Sequence, residues 1–165
     1  MRILTFRGYV LLIVLGLTIA LVLTAGTGRA QEMTMRHATG TFTVTVTPAD
    51  PEVVQAGLGL SRYTLAKTFE GGLTGTGTGQ MLAGGVSAET GAYVAMERVV
   101  GTLDGREGAF LLAHRGDMTP DGFSLSITVV PNSGTGALTG LTGDFALTIT
   151  GGVHHYDLAY SLPGA

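Results

Sequence analysis

There is no cysteine among the 165 residues. The chain therefore has no disulfide and no lipoprotein attachment point, and its fold is held by its core alone. Charge is also scarce: Asp, Glu, Lys and Arg make up 13% of the sequence. Aromatics make up only 7% and prolines number five. At 45% hydrophobic residues the chain is too apolar for disorder, and its 27 glycines follow no collagen-like period. The length suits one domain. Short apolar runs separated by glycine-rich turns point to an all-β protein.

The first thirty residues read as a targeting segment. Arg2 and Arg7 form a positive start, VLLIVLGLTIALVLTA (10–25) is an apolar run, and Gly28-Arg29-Ala30 places small residues at the two positions that signal peptidase reads. The expectation is a signal helix over 1–30, cleaved after Ala30, and an exported chain, secreted or periplasmic. The alternative is a membrane anchor over 10–25, which would then be the protein's contact with a membrane. Removing residues 1–30 takes away Arg2, Arg7 and Arg29 and no acid. Six basic residues then face twelve acidic ones, a net charge of −6. Such a surface excludes nucleic acid as a natural partner and disfavours an anionic membrane.

Alternation with period two runs through the rest of the chain. It predicts eight strands: 37–47, 60–70, 73–83, 92–103, 106–116, 123–130, 138–150 and 153–162. Residues 48–57, with two prolines, read as a connection with room for one helical turn, and 131–137 as a loop. Gly71-Gly72, Asp104-Gly105 and Gly151-Gly152 read as two-residue hairpin turns, which need positive φ. Each turn sets a register. The last pairs Ile149 with His154, Leu147 with Tyr156, Phe145 with Leu158, Gly143 with Tyr160 and Leu141 with Leu162, giving one apolar face. Eight antiparallel strands with one apolar face close into a mostly up-and-down β-barrel spanning 36–163, which removes both edges. A two-sheet sandwich is the alternative. Gly75, Gly77 and Gly79 share one face of the third strand, read as lying beside Ala66 and Thr64, and favour a bend there.

The stretch ERVVGTLDGREGAFLLAHRG (97–116) places charges where strands usually carry apolar residues. The Asp104-Gly105 turn pairs Val99 with Phe110, Glu97 with Leu112 and Ala95 with His114, making Glu97 and His114 diagonal neighbours. The Gly71-Gly72 turn pairs Phe69 with Thr74, Lys67 with Thr76, Leu65 with Thr78 and Tyr63 with Gln80. The faces with the larger apolar residues turn inward. That puts Lys67, Glu97 and His114 inside the barrel with Tyr63, Tyr93, Tyr156 and Tyr160. These seven are the candidate ligand-binding residues, and Lys67, Glu97 and His114 the candidate catalytic ones. Two other readings stand beside this one: a self-neutralising internal salt bridge, or a reversed face assignment that puts the charges in solvent.

The stretches YTLAKTFEGGLTGTGTG, ERVVGTLDGREGAFLLAHRG, VVPNSGTGALTGLTGDF and HYDLAYSL together resemble a bacterial family of small proteins, a domain of unknown function with an allene-oxide-cyclase-like barrel. The resemblance spans about 36–163 and is most specific in the ERV-x-GTLDGR-x-G-x-F block that leads to His114. It implies an eight-stranded antiparallel barrel, and Lys67, Glu97 and His114 fall at positions where the family pattern carries the same residue types. A signal peptide departs from that pattern.

Other motifs carry little. GTGTGQ (75–80) has the wrong spacing for a dinucleotide fingerprint and no helix after it. Ser133 lacks the preceding glycine of a nucleophile elbow. His154 and His155 point to opposite faces, and His155 with Asp157 finds no third ligand, so no metal is expected; nor is any cofactor. Three functions fit: a barrel that binds a small apolar or amphipathic molecule, a cyclase or isomerase with Glu97 and His114 as acid and base, or a structural homo-oligomer joined through Val94, Met96 and Leu111.

Overall fold

The computed structural model describes residues 34–163, with 52, 56 and 88 excepted. The signal helix expected over 1–30 and its membrane-anchor alternative lie outside the described residues. Nine strands are present among the described residues: β1 Arg36–Pro48, β2 Val53–Gln55, β3 Leu58–Gly71, β4 Leu73–Ser87, β5 Thr90–Leu103, β6 Arg106–Thr119, β7 Gly122–Val129, β8 Thr142–Thr150 and β9 Val153–Ser161. Their order is β1-β9-β8-β7-β6-β5-β4-β3, and β1 also pairs with β3, so eight antiparallel strands close an up-and-down barrel. The ninth, β2, is a three-residue strand on the end of β3, inside the segment read as a connection.

Two of the three turns set the expected register. Asp104 and Gly105 have φ 47° and 82°, and Gly151 and Gly152 have φ 59° and 81°, the paired positive values of a primed turn. Val99 accordingly faces Phe110, and Leu147 faces Tyr156. The third turn differs by one residue. Gly71, at φ 109°, stays in the ladder opposite Gly40 of β1, so Phe69 pairs with Gly75, Lys67 with Gly77, Leu65 with Gly79 and Tyr63 with Met81. The one-residue slip moves Gly75, Gly77 and Gly79 from the outer face, beside Ala66 and Thr64, to the inner one.

The start of β8 also differs. Residues 136–138 form a 3-10 turn, and the strand begins at Thr142, so Leu141 and Leu162 are not ladder partners. Leu138 and Leu141 are both fully buried, a spacing of three that a strand cannot bury on one face but a 3-10 turn can. The loop feeding this turn covers the free edge of β6: Leu111 N–H donates to Ser133 Oγ (3.0 Å) and Ala109 N–H to Thr135 Oγ1 (3.1 Å).

One end of the barrel is plugged. Leu73, Leu103, Leu138, Leu141, Tyr160 and Leu162 fill it and are at most 5% exposed. Tyr156 fastens this end. Its hydroxyl accepts from Leu73 N–H (2.8 Å) and reaches the carbonyls of Leu73 (3.1 Å) and Glu70 (3.2 Å), while its ring stacks on Phe145. Burial pushes its pKa up, and the bond from Leu73 offsets part of that rise. Tyr156→Phe strands a buried N–H and is expected to cost about 1–2 kcal/mol in denaturant unfolding.

Candidate functional site

Lys67, Glu97 and His114 come from β3, β5 and β6 and meet inside the barrel. Glu97 is 0% exposed, His114 7% and Lys67 8%. Alternation with apolar neighbours (Leu65 and Phe69, Ala95 and Val99, Leu112) carries each charge to the inner face. Lys67 Nζ donates to Glu97 Oε2 at 2.8 Å. His114 Nε2 stands 3.0 Å from the same oxygen, without the alignment of a hydrogen bond. Glu97 Oε1 has no partner among the described residues. It fills the space that a Cβ on Gly77 would need, against the Phe69 ring.

Lys67 is the sole lysine of the chain. Its ammonium lies over the Phe42 ring, 4.7 Å from the centroid, with Phe69 at 5.7 Å and Phe145 at 6.0 Å. The ring faces add to the attraction that keeps a cation in this apolar setting. Burial by itself would push the Glu97 carboxyl up. The close approach of His114 and the hydrogen bond and charge of Lys67 outweigh it and hold the carboxyl below its usual range. The result is a fixed anion gripped by one cation, with an imidazole at its side.

The opposite end of the barrel is open. A cleft of about 440 Å³ enters there, lined by Ser61, Tyr63, Ala83, Met118 and glycines including Gly59, Gly85 and Gly91. The Tyr93 ring packs against Gly116 and stacks with Phe123 on this rim, and burial raises its pKa. On β6 the inward positions run from Met118 through Gly116 to His114. His114 thus lies two inward positions below Met118 and is not itself part of the cleft's lining.

Of the seven residues picked out by sequence, five gather in this half: Tyr63 and Tyr93 at the mouth, Lys67, Glu97 and His114 below it. Tyr156 and Tyr160 also face inward, but their hydroxyls are engaged at the plugged end. Tyr160 donates to Asp104 Oδ2 at 2.7 Å, and burial, ahead of Asp104, raises its pKa. Sequence reasoning missed the ring cage of Phe42, Phe69 and Phe145, which strand parity places inside, and Gly77, which the misread turn placed outside. Val94 and Met96 lie exposed on the outer wall and Leu111 half-buried beside them. On another part of the outer wall Asp157 accepts from His37 Nδ1 at 2.8 Å.

Residues 38–160 match the family described as Protein of unknown function (DUF3224). The chain belongs to this family. A crystal structure of a DUF3224 protein of unknown function from Shewanella oneidensis MR-1 is similar to it at 40% identity and a TM-score of 0.74. The match covers 80% of this chain and all of that one. No curated protein matches the sequence.

Proposed function

We propose that this DUF3224 barrel is an exported binding protein. It holds a small molecule with an apolar body in its open end, the polar head turned toward His114 and the Lys67–Glu97 pair. The observation that carries this reading is the asymmetry of the barrel: leucines plug one end, and a cleft of about 440 Å³ enters the other above three buried polar side chains. That volume falls within the usual span of small-molecule sites, which combine apolar walls with a few placed polar groups.

A second reading is favoured by the 3.0 Å approach of His114 to Glu97. In a cyclase or isomerase, His114 would exchange a proton with the substrate and Glu97 would stabilise its charged form. The likeness to allene oxide cyclase barrels supports this by analogy of fold alone.

Native mass spectrometry of the protein taken from its own host tests the binding reading. The expected result is a co-purifying small molecule whose affinity falls about tenfold in His114→Ala, the loss of roughly one hydrogen bond. A protein that emerges empty and takes up no apolar probe ends this reading. A ligand released with altered covalent structure would favour the second.

A further inference from the structure

The barrel wall is unzipped between β7 and β8. Among the described residues these strands share one ladder pair, Thr128 with Asp144. On its other side each is paired along its whole length, β7 with β6 and β8 with β9. Counting on from Thr128 and Asp144 puts Ile127 level with Phe145, Leu125 with Leu147 and Phe123 with Ile149. All six occupy inward positions, since alternate residues share a face. Their cover falls away in step. Ile127 and Phe145 are 4% and 3% exposed, Leu125 and Leu147 are partly buried, and Phe123 and Ile149 are 56% and 59% exposed. Exposed apolar residues elsewhere, Leu60, Leu82 and Val94 among them, stand on outward positions of the wall, where single ones are ordinary. Phe123 and Ile149 instead stand where a closed barrel turns its side chains inward.

The buried end of this seam adjoins the charged site. Ile127 is the cross-strand partner of His114, and the Phe145 ring centroid lies 6.0 Å from Lys67 Nζ. The seam thus reaches the site from the side. Its path is separate from the cleft, whose lining includes none of the six residues. From Ile127 to Phe123 the strand spans about 13 Å, roughly the length of an extended ten-carbon chain. The apolar rows face in and Ser124, Ser126, Ala146 and Thr148 face out, so the slot suits a narrow apolar chain. At its inner end Lys67 and Glu97 already neutralise each other at 2.8 Å. A charged head beside them would be buried without a counter-charge. An uncharged hydroxyl or carbonyl needs only a hydrogen bond. His114 is buried, and its Nε2 has no hydrogen-bond partner among the described residues.

We infer that the β7–β8 seam is the ligand's slot. It takes an unbranched apolar chain with an uncharged polar head. The head lies at His114, and the tail runs out along the seam to end between Phe123 and Ile149. This rests on the binding reading above and names the ligand class for it.

The test is calorimetric titration of the full chain, as its host processes it and free of detergent, with 1-hexanol, 1-decanol and 1-dodecanol. Nile red uptake reads apolar binding separately. The wild type is expected to bind 1-decanol on the order of a hundredfold more tightly than 1-hexanol, about fourfold for each buried CH2. Little further gain is expected at 1-dodecanol, whose end leaves the slot. Ile149→Ser changes a residue that is mostly exposed and outside the cleft. It should cut the gain from hexanol to decanol about fivefold, while Val94→Ser on the outer wall leaves that gain unchanged. An Ile149→Ser protein with the full gain overturns the slot, as does a gain that continues undiminished to 1-dodecanol. Decanoate or decylammonium binding more tightly than 1-decanol overturns the uncharged head. Nile red uptake without binding of the alcohols overturns the slot and leaves the binding reading standing. Uptake of neither overturns both.

Discussion

Glu97→Gln is expected to lower the unfolding free energy by about 3–5 kcal/mol, because it leaves the Lys67 ammonium buried without its anion. That is a large share of the stability of a domain this size. Lys67→Met should cost a similar amount by stranding Glu97. The double variant should cost clearly less than the two single changes together, since it removes both charges at once. Arg98→Ala, one residue along β5 and on the outer face, should cost a few tenths of a kcal/mol. Denaturant unfolding of the four proteins measures the coupling directly, and additive single effects would mean the pair is not coupled. The same pair predicts acid sensitivity. The folded state holds the Glu97 carboxyl below its usual value, so its contribution is complete above the unfolded carboxylate pKa of about 4.3. It fades as pH falls through the lower folded value. Wild-type stability should therefore drop over that acid window, and Glu97→Gln should show a shallower drop.

Gly77→Ala should be nearly as damaging, at about 3 kcal/mol, although it adds a single methyl group. The new Cβ falls on Glu97 Oε1 and against the Phe69 ring. Overpacking a filled interior costs about 1–3 kcal/mol by itself, and here it also pushes the carboxylate away from Lys67. The accompanying signature is a loss of the coupling just described: in a Gly77→Ala background, Glu97→Gln should do much less harm. Thermal or denaturant unfolding checks both effects. A Gly77→Ala protein as stable as the wild type would mean that the carboxylate does not occupy that space.

The closed barrel, its strand count and the inward turn of Lys67, Glu97 and His114 were legible because they follow from alternation and from two turns with distinctive chemistry. Asp104-Gly105 and Gly151-Gly152 are unambiguous, since two successive positive φ values admit few residues. Gly71-Gly72 looks the same in sequence. What separates it is tertiary: Gly71 is held by β1, far along the chain, and no local rule reports that. One misplaced residue then hid Gly77, the position that gives the Glu97 carboxylate its room. The start of β8 was misread for a different reason. LTGLTG carries leucines at a spacing of three, a 3-10 signature submerged in a chain dominated by period two. The candidate site was legible as a set of residues. That Tyr156 and Tyr160 serve turns at the plugged end was not, because their hydroxyl partners, Leu73 and Asp104, lie far away in the sequence.

The ladder across the last strands has a consequence for the order of events in folding. β7 meets β8 through a single residue pair, Thr128 with Asp144, whereas β9 meets β1 through seven, from Arg36 with Tyr160 to Phe42 with His154. The carboxy-terminal hairpin is thus anchored chiefly to the amino-terminal strand, not to the strand before it. Contacts separated by more than a hundred residues carry a large loop-closure cost and form slowly. Until they form, β1, with its TFTVTVT run, keeps one side unpaired, the kind of segment that recruits other chains. A chain emerging from its amino terminus keeps that edge unguarded until its final strand arrives, so the interval between the first strand and the last is when this protein is most exposed to self-association.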